Sequence, residues 1–163
     1  ASVTNDMRLA QRELSERRRD FINRISPEGY IEKNSYRGVR GFWYHTYGLD
    51  PALSCAVIAR EWGVDYFSDP VLGPRLAAAV QKTSLGITDY DTFSAIGTRG
   101  SSFSTDPADT RDFVHQFALN IYPIVAREFG VRLPPSPMHD RLARLESYSA
   151  TSGMLARCYY SGR

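Results

Sequence analysis

The stretch PADTRDFVHQFALNIYPIVAREF, residues 107–129, decides the fold class. Phe113, Phe117, Ile121, Ile124 and Val125 recur at three- and four-residue intervals, which puts them on one face of a helix and rules out the two-residue period of a half-buried strand. Asp106-Pro107 opens it: aspartate accepts from the free N–H groups of a first helical turn, and proline has no N–H to leave unsatisfied. Pro123 lies inside and predicts a kink, and Gly130 closes the far end.

The same punctuation recurs upstream. Asp50-Pro51 predicts a helix from Pro51 to about Trp62, stopped by Gly63, and Asp69-Pro70 predicts another over roughly 70–83. A shorter helix or turn is expected around Asp89 to Ile96, and a last one over Met138 to Tyr148, beyond the rigid PPSP connector at 134–137. Residues 57–64, VIAREWGV, match 124–131, IVAREFGV, in kind at every position. Both read as helix ends closed by a left-handed glycine, with valine folding back beyond it; duplication of a module is the alternative.

Two segments differ from these. Residues 1–25 form an arginine-rich arm in which Leu9, Leu14, Phe21, Ile22 and Ile25 make a narrow apolar stripe, ended by Ser26-Pro27. Residues 28–48, EGYIEKNSYRGVRGFWYHTYG, hold four glycines and a dense aromatic set, and predict extended structure or an ordered loop. The expectation is a mainly α, single domain over 1–163, of about five or six helices, with one aromatic, glycine-jointed segment and an unassigned tail at 149–163.

Composition narrows the classes. At 163 residues, 42% hydrophobic and 23% charged, the chain is of ordinary globular makeup, and no apolar run reaches the length of a membrane span. The charged start shows no apolar signal-peptide core, so none is expected. Cys55 and Cys158 have no metal-type spacing, and two free thiols in a reducing intracellular compartment are favoured over a disulfide. The net charge of +2 is too small to imply nucleic acid from the overall field. All but Lys33 and Lys82 of the 20 basic residues are arginine, whose planar fork pairs with carboxylate or phosphate and stacks on rings.

The strongest functional candidate is the cluster Arg37, Arg40, Trp43, Tyr44, His45 and Tyr47, where fork donors and flat rings coincide. Such a surface suits a protein partner or self-assembly, or phosphates with stacked bases; a plain core with solvated arginines is the bland reading. Arg17 and Arg18 extend the basic character, though Glu13, Glu16 and Asp20 stand at pairing distance along the helix. His45, His115 and His139 lack metal-pair spacing, so no metal and no cofactor are expected. Cys55, near the start of a predicted helix, would gain thiolate character from the dipole; a buried apolar cysteine is the plainer reading. The glycine-serine stretch 97–104 with Arg99 could cradle an anion but lacks a Walker lysine.

Tyr36-Arg37-Gly38 with Ser102-Phe103-Ser104-Thr105 faintly resembles the arginine and serine-threonine-serine motifs of mono-ADP-ribosyltransferases. That resemblance implies nicotinamide-dinucleotide binding by the arginine and serine, yet no Glu-x-Glu follows and the motifs stand far apart. The sequence therefore favours a non-enzymatic structural or interaction protein, docking on a partner or forming a homo-oligomer. The alternatives are a nucleic-acid-binding coat or packaging protein and an ADP-ribosyltransferase-like enzyme.

Overall fold

The computed structural model describes residues 6–96 and 118–134. Within them the chain is mainly helical and forms no strand: α1 (Met7–Arg24), a 3-10 turn (Gly38–Arg40), α2 (Gly41–Glu61), α3 (Leu72–Thr88), α4 (Tyr90–Ile96) and α5 (Ala118–Phe129). The expected last helix at 138–148, the 107–117 part of the expected long helix with its Asp106-Pro107 start, the tail, the 97–104 loop and the Ser102–Thr105 motif lie outside the described residues, as do His115, His139 and Cys158. Among the described residues, no helix is long and apolar enough to cross a membrane.

α3 is the central element, touching α1, α2, α4 and α5. It packs Leu72, Leu76, Ala79 and Val80 against Leu49, Leu53 and Ala56 of α2 and Ile121, Ile124 and Val125 of α5, all buried. A second cluster, Phe42 edge-on to Phe93 with centroids 5.4 Å apart, seats α4 beside the start of α2. α1 lies along the edge through Ala10 and Leu14. Arg18 forks onto Asp69 at 2.5 and 3.1 Å, the Tyr66 hydroxyl donates to the Leu14 carbonyl, and Arg75 reaches the carbonyls of Ile22 and Ile25 at the end of α1.

The Asp-Pro punctuation divides in two. At 69–70 it acts as expected: Asp69 accepts from the N–H groups of Val71 and Leu72, and α3 starts there and runs on to Thr88, five residues past the expected end. At 50–51 it does not. α2 begins at Gly41, and Pro51 sits in its interior, so the aromatic segment read as extended is half helix. The reason is burial: Phe42, His45, Thr46 and Leu49 continue backward the buried stripe of Leu53, Ala56 and Val57, and tertiary packing outweighs the strand preference of aromatic residues. Gly41 is there for proximity, since a Cβ would stand 2.5 Å from the Ser35 carbonyl oxygen.

The paired VIAREWGV and IVAREFGV segments end as expected, with Gly63 and Gly130 at φ +76° and +62°. The Val64 N–H returns to the Ala59 carbonyl, which closes α2. The two segments also meet. Arg60 of the first forks onto Glu128 of the second at 2.6 and 2.8 Å, and Phe67 packs edge-on to Phe129.

Candidate active site

The segment between α1 and α2 turns back on itself through an isolated bridge between Ile25 and Ile31. Gly29, at φ +87°, lets it press on the α3 backbone, where a Cβ would fall 2.3 Å from the Ala78 carbonyl carbon. Lys33 takes the left-handed conformation at φ +63°, and its carbonyl accepts from Arg37 Nε at 2.6 Å. The guanidinium of Arg37 then lies over the Tyr44 ring, its Cζ 4.0 Å from the centroid. Trp43 flanks Tyr44, with centroids 5.0 Å apart.

Arg37 and Tyr44 are both half-buried. Arg40 and Tyr47 are exposed and stand one turn to either side of Tyr44, so Arg40, Tyr44 and Tyr47 share one face of the helix. No carboxylate interrupts the chain between Glu32 and Asp50, and Asp50 is buried. The result is a cationic, aromatic surface that offers fork donors to an anion, ring faces to a flat or sugar-like group, and a phenol beside a fixed positive charge. Among the described residues no His, Cys, Asp and Glu group is arranged to hold a metal ion.

The other sequence candidates separate from this surface. His45 belongs to the interior, fully buried. Its Nδ1 lies 2.9 Å from Ser35 Oγ, and its Nε2 is 3.1 Å from the Ala79 carbonyl and 3.2 Å from Thr83 Oγ1. Burial drives its pKa down to about 4, so the imidazole is neutral at ordinary pH. Arg17 pairs with Asp20 at 3.0 Å and Arg18 is spent on Asp69, so both serve α1. Cys55 falls about four turns into α2, since the helix starts ten residues earlier than expected; no dipole acts on it there, and burial pushes its thiol up. Ser35 and Thr83, buried polar partners of His45, were not legible as such: nothing in their spacing marks residues brought together across 38 positions.

A sequence model of the alginate lyase family matches residues 1–93, which include α1 to α3 and both Arg37 and Tyr44. No curated protein and no solved structure matches the chain.

Proposed function

The chain belongs to the alginate lyase family, and from that premise we propose that it cleaves a uronate polysaccharide by β-elimination at the Arg37–Tyr44 pair. Membership in a family named for an enzyme overturns the expectation of a non-enzymatic structural or interaction protein, together with its coat-protein and ADP-ribosyltransferase alternatives. The partner this reading proposes is an anionic polysaccharide.

The chemistry asks for few groups. A uronate carries its carboxylate on C5, next to the C–H bond that must break. As that proton leaves, charge grows on the carboxylate oxygens, and a fixed guanidinium neutralises it in the form a planar fork handles best. Arg37, held by the Lys33 carbonyl and stacked on a ring, is such a group. Tyr44 enters the step as the phenolate, whose oxygen takes the C5 proton and becomes the phenol that hands it on. The C5–H electron pair becomes the C4=C5 double bond, the C4–O4 bond breaks, and the departing O4 receives the proton. No water is consumed. Arg40 and Tyr47 extend the same face for neighbouring units of the chain, a carboxylate on one and a sugar ring face on the other.

The observation that carries this reading is the guanidinium stacked over the half-buried tyrosine within the family-matched residues. The test is turnover of sodium alginate, followed by the ultraviolet absorbance of the conjugated double bond. Tyr44→Phe is expected to lower kcat by about 10²–10⁴-fold with the fold intact by circular dichroism. Arg37→Ala is expected to lower kcat/KM by about 10²–10³-fold. Undiminished turnover by Tyr44→Phe would remove tyrosine from the chemistry and overturn the assignment.

A further inference from the structure

Arg37 and Tyr44 reach each other across a junction, because the first belongs to the loop after α1 and the second to the opening of α2. The Arg40 N–H bond to the Arg37 carbonyl at 3.2 Å links the two backbones through the 3-10 turn, and it does not by itself hold the two side chains in register. The residues that do lie just beside them: Ser35, two positions before Arg37, and His45, next after Tyr44, joined at 2.9 Å in the interior.

The hydrogen bonds there have one consistent direction. The Ala79 carbonyl can only accept, so the neutral imidazole turns an N–H toward it from Nε2 and Nδ1 accepts from the Ser35 hydroxyl, whose oxygen also accepts the Ile31 N–H at 2.8 Å. The imidazole proton is then on Nε2, shared between the Ala79 carbonyl and Thr83 Oγ1 of α3, and the Thr83 hydroxyl itself donates to Ala79. Loop, α2 and α3 are thus tied through one neutral ring. The fit around it is close: Gly41 brings the first turn of α2 onto the Ser35 carbonyl, and Phe93 of α4 packs edge-on to the imidazole at 5.2 Å.

We propose that Ser35 and His45 are positioning residues, a buried clasp that sets the Arg37 guanidinium over Tyr44 without touching substrate. The inference rests on the elimination assigned to that pair. Within the clasp the two ends of His45 do different work. The Nδ1 end fixes the loop that bears Arg37, whereas the Nε2 end fixes α2 on α3. Cutting the first disturbs the pair, and cutting the second disturbs only packing.

The test compares Ser35→Ala, Ser35→Cys and Thr83→Val in the full chain, with sodium alginate as substrate and the NMR signal of Arg37 Nε–H as a second readout. That signal reports the Tyr44 ring current whether or not turnover occurs. Ser35→Ala is expected to lose the ring-current shift and to lower kcat by about ten- to a hundred-fold, the scale of a small misplacement of a reacting group. Ser35→Cys, which keeps a weaker donor, should fall between it and the native chain. Thr83→Val should lower Tm while leaving kcat and the Arg37 signal unchanged. If Ser35→Ala does not fold, Ser35→Cys against Thr83→Val makes the same comparison. Equal loss of kcat in the serine and threonine variants, in proportion to Tm, or an Arg37 signal indifferent to Ser35, would overturn the clasp. A native chain that leaves alginate intact but loses the Arg37 shift on Ser35→Ala would refute the elimination and leave the clasp standing.

Discussion

Lowering the pH from about 7 to about 5 should weaken the fold through His45, before ordinary carboxylates begin to protonate near 4. The folded imidazole has its pKa pushed from 6.5 down to about 4, first by burial and further by the charge of Lys82, against the opposing pull of the Ala79 carbonyl. Between those two values the unfolded chain takes up a proton that the folded chain refuses, so stability falls as pH falls. Each pH unit crossed inside that window removes about 1.4 kcal/mol, so the residue contributes a loss of about 2 kcal/mol by pH 5 and about 3 kcal/mol once pH 4 is passed. Above pH 7 neither state binds the proton and the contribution stays at its full value. The assay is urea unfolding of the native chain and of His45→Gln at three pH values across this window, with the difference between the two chains isolating the residue from His115 and His139. An NMR titration in which the His45 ring protonates near 6.5 in the folded state, or a native stability flat from pH 7 to 5, would refute the account of a neutral, donor-and-acceptor imidazole.

Two further substitutions test the packing that carries the site. Gly86→Ala places a Cβ 2.1 Å from Phe42 Cδ2 and should cost about 1–3 kcal/mol by chemical unfolding, whereas Gly29→Ala meets unyielding Ala78 backbone at 2.3 Å with φ at +87° and should cost more. Arg60→Ala takes the forked partner from the Glu128 carboxylate, whose side chain is only 8% exposed, and leaves it Arg127 at 4.0 Å; this should lower stability by about 1–3 kcal/mol, part of which Arg60→Ala with Glu128→Gln restores.

Much of the helical architecture was legible because its signals are local. The Asp69-Pro70 start, the Gly63 and Gly130 ends and the apolar spacing of Ile121, Ile124 and Val125 all act within a few residues of where they are written. The opening of α2 was not. Four glycines and a dense set of Tyr, Phe and Trp read locally as loop or strand, while the helix is made by what lies opposite: α3 beneath His45 and Leu49, and Phe93 against Phe42. The Asp50-Pro51 start was mistaken for the same reason, since a helix already in progress tolerates proline at the loss of one hydrogen bond.

The candidate site was legible as composition and illegible as chemistry. Arg37, Arg40, Tyr44 and Tyr47 stood out as an arginine-aromatic cluster, and that pattern serves protein, nucleic acid and anionic polysaccharide alike. Separating His45 from it needed the fold: its neighbours are exposed or half-buried on one side of the helix, and its ring points to the other. The clasp partner Ser35 carries no sequence signal at all, because a serine in a loop acquires a role only from the ring that meets it.

The central claim is elimination, and it differs from hydrolysis in the fate of water. The full chain incubated with sodium alginate in heavy-oxygen water, with the products read by mass spectrometry, separates the two. Unsaturated oligouronates free of the label are the predicted result. Saturated products carrying heavy oxygen at the new end would contradict it.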